Sequence, residues 1–151
     1  NKMKKRNVFN NFLCLLIPFF LIACSSDYPE NDSYSEPKQS TPTSNATNFS
    51  VTNSGSSAYV FNNAQLVNVN NPNITLQRGK TYTFNVNSPG HPFLIKTERT
   101  TGNSSNYNSG VTNNGATSGN ITFAVPADAP STLFYICEFH SSMSGVITIT
   151  N

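Results

Sequence analysis

Residues 132–150, "TLFYICEFHSSMSGVITIT", place a cysteine, a histidine and a methionine between two alternating apolar runs. Apolar side chains at every second position are typical of β-strands that have one face in a core. Cys137 ends the first run and Val146 begins the next, so the sequence predicts two strands joined by a tight loop. That loop holds Cys137, His140 and Met143 together, and ligands on one loop lose little extra entropy when they gather around a metal.

Five further segments upstream alternate in the same way: residues 49–53, 58–62, 74–76, 82–86 and 121–125. Short alternating strands separated by Gly, Pro and Asn, without a sustained 3.6-residue period, predict an all-β domain with an antiparallel sandwich or barrel. The segment 74–86 is expected to form two paired strands that turn at Arg78–Gly79. Residues 97–120 are rich in Gly, Asn and Ser, and we interpret this long loop as functional or mobile.

The N-terminal segment "MKKRNVFNNFLCLLIPFFLIAC", residues 3–24, resembles an export signal. Its basic start is followed by an apolar run over 12–23, which is shorter than the ~20 residues that span a bilayer as a helix. The run ends in "LIAC", which is similar to a bacterial lipobox, and this resemblance implies lipidation of Cys24 after cleavage. The sequence therefore predicts a signal peptide over 1–23 and a lipid anchor in the membrane at Cys24. Ser25 rather than Asp follows the cysteine, which favours the outer membrane of the cell envelope, facing the periplasm or the surface.

Residues 24–47 are predicted to be a disordered tether between this anchor and one folded domain over 48–151. The segment has three prolines and almost no large aliphatic side chains, so it cannot bury enough apolar surface to offset the entropy of ordering. The remaining length suits a single core. Charged residues make up only 11% of the chain and form no basic block beyond the N-terminal signal, so no nucleic-acid partner is expected.

The chain has 3 cysteines and 2 histidines, and their positions restrict the chemistry of the domain. Cys14 lies in the signal peptide and Cys24 is assigned to lipid, so Cys137 is the one remaining thiol and no intrachain disulfide is expected. A free thiol in an oxidising compartment is a liability unless it is buried or bound to metal. His91, in "SPGHPFLIK", is the second histidine of the chain and also lies where a loop meets a strand.

Two imidazoles, one thiolate and one thioether form a soft set of nitrogen and sulfur ligands that suits copper. A trigonal His₂Cys plane with a weak axial Met is typical of a blue-copper electron-transfer site. Zinc is the less suitable metal, because structural zinc sites use Cys and His rather than Met. Each residue alone has an ordinary explanation as a core or surface side chain. Their coincidence predicts one copper ion with four ligands: His91, Cys137, His140 and Met143.

Four segments of the domain resemble the cupredoxin family of plastocyanin-like proteins: "ITLQRGKTYTFNV", "GHPF", "ITFAVPADAPSTLFYIC" and "FYICEFHSSMSGVITI". The resemblance covers roughly residues 56–150. It implies a Greek-key β-sandwich or barrel of the cupredoxin type, with the metal at one end. It also implies that His91 and His140 supply the imidazoles, Cys137 the thiolate and Met143 the axial ligand.

The sequence departs from the family at two places near the ligands. Its ligand spacing is C-x₂-H-x₂-M, whereas plastocyanin-like proteins usually have C-x₂-H-x₄-M. The shorter spacing leaves Cys137 and His140 in place and changes the expected geometry of the Met143 bond. Family members also often have Asn after the first histidine, and its N–H bonds the cysteine sulfur. Pro92 has no N–H at this position, so one contact that tunes the metal is expected to be missing.

We interpret the domain as a membrane-tethered, monomeric electron carrier that serves an unidentified redox protein. It is not expected to be an enzyme, because copper oxidases and nitrite reductases need further copper centres and no histidine remains to build them. The resemblance implies that His140 is the electron port, in an apolar patch that Pro89, Pro92 and Phe139 could supply. Two alternatives use the same fold: a copper-binding or delivery protein of the cell envelope, and a non-redox interaction module with a degenerate site. Reversible redox cycling would favour the electron carrier, and binding of Cu(I) but not Cu(II) would favour the delivery protein. A domain that binds no metal would favour the interaction module.

Overall fold

The computed structural model describes residues 47–151, and ten β-strands account for the regular structure of this part. They are, in chain order, β1 Asn48–Ser54, β2 Ala58–Asn62, β3 Val69–Asn70, β4 Ile74–Gln77, β5 Thr81–Asn87, β6 Phe93–Lys96, β7 Val111–Thr112, β8 Ser118–Ala124, β9 Thr132–Cys137 and β10 Ser144–Thr150. The predicted signal peptide 1–23, the lipid site Cys24 and all but the last residue of the predicted tether 24–47 lie outside the described residues. Within the described residues, no helix is long and apolar enough to cross a membrane.

The strands form two sheets, and the predicted all-β sandwich is confirmed. The first sheet has the strand order β3-β2-β1-β5-β8-β7, and the second has the order β4-β10-β9-β6. Their buried apolar side chains form one core. Two pairs, β1 with β5 and β10 with β4, are parallel, so the expectation of an antiparallel arrangement is wrong for these pairs. Alternation along a strand indicates which face is buried, but it does not indicate the direction of the neighbouring strand.

The segment 74–86 forms two strands, but the expected pairing between them is wrong, because β4 lies in the second sheet and β5 in the first. The turn between them connects the two sheets. The amide of Arg78 donates to the carbonyl of Thr150, at the end of β10, over 2.9 Å. The amide of Gly79 donates to the carbonyl of Val125, just after β8, also over 2.9 Å. Gly79 has a φ of 75°, which a residue without a Cβ adopts readily.

Aromatic side chains fill the space between the sheets and continue toward the end that carries the predicted ligands. Phe49 and Phe84 stack with ring centroids 5.0 Å apart, and Phe93 and Tyr135 stack at 5.3 Å. Tyr59 meets Phe93 edge to face at 5.0 Å. Each such pair contributes about 0.5–1.5 kcal/mol beyond the burial of its area. The strands that carry the predicted ligands therefore rest on a rigid aromatic core.

Strand β6 shows no alternation, because all four of its side chains are buried. The predicted loop 97–120 contains the two-residue strand β7 and the first three residues of β8, and parts of the segment between β6 and β8 lie along the free edge of β6. The amide of Gly115 donates to the carbonyl of Phe93 over 2.9 Å. The Asn114 side chain acts as a neighbouring strand would, since Oδ1 accepts from the Ile95 amide at 2.8 Å and Nδ2 donates to the Ile95 carbonyl at 3.0 Å. The long polar loop thus covers a strand edge that would otherwise be open to pairing with another chain.

Lys96, at the end of β6, is fully buried and holds the first part of this loop. Its ammonium donates to the carbonyls of Thr100 and Gly102, each over 2.7 Å. Burial lowers the pKa of Lys96, and the charges of Glu98 and Glu138 oppose that shift. The loop is also bonded to the segment that follows β9, because the Gly102 amide donates to the Glu138 carbonyl over 2.7 Å.

Candidate metal centre

His91 is positioned by a tight turn over residues 88–91, "SPGH". The His91 amide donates to the Ser88 carbonyl over 2.9 Å, which closes the turn. Pro89 at the second position and Gly90 at the third, with a φ of 77°, are the residues that favour a type II turn. The fully buried Ser88 adds a second contact, from its Oγ to the His91 carbonyl over 2.9 Å. The local sequence therefore fixes the backbone of His91 without help from a metal.

The other three predicted ligands, Cys137, His140 and Met143, lie where β9 ends and in the loop that leads to β10. The Cys137 amide donates to the Met143 carbonyl over 2.9 Å, and the Met143 amide donates to the His140 carbonyl over 3.1 Å. The first bond closes the loop at its base, and the second closes a turn within it. Strand pairing then brings His91 to the same place, because Phe93 of β6 lies opposite Cys137 of β9.

Three side-chain atoms converge at this end of the sandwich. Cys137 Sγ lies 3.5 Å from His140 Nδ1 and 3.8 Å from His91 Nδ1, and the two Nδ1 atoms lie 3.2 Å apart. A point equidistant from the three atoms is about 2.0 Å from each, which is close to a metal–nitrogen bond length and slightly shorter than a metal–sulfur bond. Cys137 is fully buried, whereas both histidines are half-buried. The space between the three residues therefore fits one metal ion.

The donor chemistry of the cluster also favours a cation. Each imidazole turns its Nδ1 toward the centre, so a ring that binds a metal there carries its proton on Nε2. Two nitrogen lone pairs at 3.2 Å repel each other unless a proton or a metal ion lies between them. A thiolate with two imidazoles is a soft set that suits copper. The cluster of His91, Cys137 and His140 therefore supports one bound copper ion.

Met143 is fully buried and directly precedes β10. It packs within the hydrophobic core, and its backbone closes the ligand loop as described above. Its role as the axial ligand stays a prediction from the sequence, as does the assignment of the other three residues as ligands.

Three residues that are close to the histidines in the chain were predicted to supply an apolar patch: Pro89, Pro92 and Phe139. Phe139, next to His140 in the chain, is 60% exposed. Pro89 is exposed and Pro92 is half-buried, and they lie on either side of His91. Both half-buried histidines therefore have exposed or half-buried apolar residues close to them in the chain.

Tyr59 is a neighbour of the cluster that the sequence pattern did not single out. It is fully buried in β2, and its hydroxyl donates to the His91 carbonyl at 3.0 Å and to the Pro92 carbonyl at 2.9 Å. Burial raises the pKa of this phenol well above its usual range, and the charge and side chain of Cys137 add to the shift. The sequence offered one indication of this role: Tyr59 is expected to face inward in "AYVFN", and a buried tyrosine hydroxyl needs a hydrogen-bond partner.

The described part of the chain is an all-β sandwich with a His₂Cys cluster at one end, which defines a candidate mononuclear copper domain. Several solved structures are similar to it. Rusticyanin from Thiobacillus ferrooxidans is 17% identical over 68% of this chain and 76% of its own, with a TM-score of 0.44. Reduced rusticyanin is 16% identical over 68% of this chain and 78% of its own, with a TM-score of 0.43.

A variant of the McoA multicopper oxidase from Aquifex aeolicus is 21% identical over 72% of this chain and 28% of its own, with a TM-score of 0.40. No family model and no curated protein sequence matches the chain. The likeness to rusticyanin, a cupredoxin, and to the oxidase is one of fold, and it assigns no ligand, partner or activity to this chain.

Proposed function

We propose that this domain is a copper electron-transfer protein. The observation that carries the proposal is the convergence of one thiol and two imidazoles on a space that fits a single metal ion. A copper ion held there supplies a one-electron couple, Cu(II)/Cu(I). Thiolate and imidazole together form a ligand set typical of copper sites that transfer electrons.

The chain's own contribution is to hold the ligands in place. The turn over residues 88–91 is closed by two hydrogen bonds, and the loop from Cys137 to Met143 is closed by two more. Ligands that are fixed before binding move little when the charge at the centre changes by one. A site of this kind is suited to electron transfer, because the surrounding structure does not have to rearrange at each cycle.

In this proposal electrons enter and leave through His140. His140 is half-buried, the residue before it in the chain is the exposed Phe139, and Pro89, two residues before His91, is also exposed. None of these side chains carries a fixed charge. We propose that an unidentified redox protein contacts the monomeric domain here through apolar surface rather than through charge pairing.

The proposed role is that of a carrier rather than an enzyme. A copper oxidase or nitrite reductase needs further copper centres. Both histidines of this sequence lie in the one cluster, so none remains here for a second centre.

Adding Cu(II) to the purified protein is expected to produce an intense visible charge-transfer band from the Cys137 thiolate. Cys137→Ser should abolish the band, because a hydroxyl is a poor ligand in a soft site. Ser141→Ala, on the same loop, is a matched control and should retain it. Absorption spectroscopy through repeated reduction and reoxidation is the measurement.

The outcomes separate the candidate functions. A band that survives Cys137→Ser would disprove the thiolate assignment. Binding of Cu(I) without reversible cycling would favour copper handling over electron transfer. A wild-type protein that binds no copper would remove the proposed function.

We propose further that the mature protein is lipidated at Cys24 and held to the cell envelope by the segment 24–47. The support is the short apolar run ending in "LIAC". Intact-mass analysis of the native protein is expected to show acyl chains on Cys24, and Cys24→Ala should remove that mass. A native mature form that begins elsewhere and carries no lipid would contradict the proposal.

A further inference from the structure

Tyr59 is hydrogen-bonded to the segment that carries the first candidate ligand. Its hydroxyl lies 3.0 Å from the His91 carbonyl oxygen and 2.9 Å from the Pro92 carbonyl oxygen. A phenol has a single proton, so these two carbonyls share it. They belong to consecutive residues between the turn and β6. The hydroxyl therefore restricts the orientation of the backbone that leads away from the His91 imidazole.

The backbone of Tyr59 is connected to the other ligand segment through Asn71. The Tyr59 amide donates to Asn71 Oδ1 over 2.9 Å, and the Asn71 amide donates to the Tyr59 carbonyl over 2.9 Å. Asn71 Nδ2 then donates to the Ser142 carbonyl over 2.9 Å, between His140 and Met143. One residue of β2 is thus linked to both loops that form the cluster.

The contact with Pro92 extends this link to the backbone next to Cys137. Pro92 has no amide hydrogen to donate, so only its carbonyl serves as a backbone partner here. That carbonyl also accepts from the Glu138 amide over 3.2 Å, and Glu138 directly follows Cys137. The Tyr59 hydroxyl donates to the His91 and Pro92 carbonyls. The Cys137 side chain also lies close to the phenol.

We propose that Tyr59 is a positioning residue of the copper site. Its hydroxyl holds the His91 and Pro92 carbonyls so that the His91 imidazole stays beside Cys137 whether or not a metal is bound. This inference rests on the proposed function, because it concerns the same site. Outer partners of metal ligands are typically worth roughly 10–100-fold in metal affinity, so Tyr59→Phe should weaken copper binding about tenfold or more.

The matched control for Tyr59→Phe is Tyr82→Phe. Tyr82 is also buried, and its hydroxyl accepts from the Gln77 amide over 3.0 Å near the start of β5, at the opposite end of that strand from the His91 turn. Each variant deletes one hydrogen-bonded, buried hydroxyl, so the two urea midpoints should fall by similar amounts. Only Tyr59→Phe should weaken Cu(I) binding, measured by competition with a chelator of known affinity. Only Tyr59→Phe should also change the EPR spectrum of the Cu(II) form.

A metal-free measurement separates this inference from the proposed function. Without copper, the His91 and Glu138 amides of Tyr59→Phe should exchange with solvent deuterium roughly tenfold faster than in the wild type, because their hydrogen bonds lose support. In Tyr82→Phe these two amides should exchange at the wild-type rate. If copper affinity, EPR spectrum and exchange are the same in both variants, the inference is wrong and the proposed function stands. If the wild type binds no copper, the proposed function fails. The exchange measurement then decides separately whether Tyr59 positions the His91 segment: it does so if the two amides exchange faster in Tyr59→Phe but not in Tyr82→Phe.

Discussion

Gly145→Ala should lower the free energy of unfolding by about 2–6 kcal/mol, because residue 145 has no room for a methyl group. Gly145 lies in β10, opposite Tyr135 of β9. A Cβ at this position would lie 2.6 Å from Cζ and 2.7 Å from Cε1 of the Tyr135 ring, and it would also overlap the hydroxyl oxygen. Non-bonded carbon atoms do not approach each other so closely, so either the ring or the strand must move.

The Tyr135 ring has little freedom to move. It is fully buried, its hydroxyl donates to the Pro72 carbonyl over 2.7 Å, and the rings of Phe61 and Phe93 lie 4.9 and 5.3 Å away. Overpacking a core typically costs about 1–3 kcal/mol, and a buried hydrogen bond broken by the shift adds about 1–3 kcal/mol. The sum is a large part of the ~5–15 kcal/mol that stabilises a domain. Because Tyr135 is two residues from Cys137, a displaced ring would also disturb the ligand loop.

Urea unfolding followed by circular dichroism measures this effect. Thr148→Ala, at an exposed position of the same strand, is the control and should change stability by less than about 1 kcal/mol. Tyr135→Leu shortens the opposing side chain, so adding Gly145→Ala to that variant should cost much less than adding it to the wild type. A midpoint for Gly145→Ala equal to that of Thr148→Ala would show that the strand relaxes freely, and the steric argument would then be wrong.

The alternation of apolar residues predicted most strands of the sandwich. The strands and pairings that it did not predict have physical explanations. The strands β3 and β7 are two residues long, which is too short to show a period. All four side chains of β6 are buried, so that strand has no polar face to alternate with. The separation of β4 and β5 into different sheets depends on contacts such as that between Arg78 and Thr150, which are remote in sequence.

For the candidate site too, the sequence predicts what depends on local pattern and does not predict what depends on contacts remote in sequence. The convergence of His91, Cys137 and His140 could be predicted because the chain has only 3 cysteines and 2 histidines, and two of the three residues share one loop. The support around them could not be predicted. Tyr59 lies 32 residues before His91, and only the packing of β2 against the turn brings its hydroxyl to that carbonyl. No spacing motif encodes such a contact.

Lys96→Met should lower the free energy of unfolding by about 2–4 kcal/mol, because it removes two hydrogen bonds from a charged donor. The Lys96 ammonium is fully buried and donates to the carbonyls of Thr100 and Gly102. Methionine fills a similar apolar volume but gives neither carbonyl a new donor. Removal of the buried charge recovers part of its desolvation cost, which keeps the estimate below the full value of two charged hydrogen bonds.

The pH dependence distinguishes the lost ammonium from general damage to the core. Burial lowers the pKa of Lys96 in the folded protein, against the opposing charges of Glu98 and Glu138, so it lies below the ~10.4 of an unfolded chain. At a pH between those two values, Lys96 is protonated in the unfolded chain and deprotonated in the folded protein. The free energy of unfolding of the wild type therefore contains a contribution that rises with pH up to about 10.4. Lys96→Met should lack this rise, whereas Lys80→Met, at an exposed lysine, should keep it. Urea unfolding at a series of alkaline pH values tests both points, and an unchanged midpoint with the wild-type pH slope would mean that the Lys96 amine does not hold the loop.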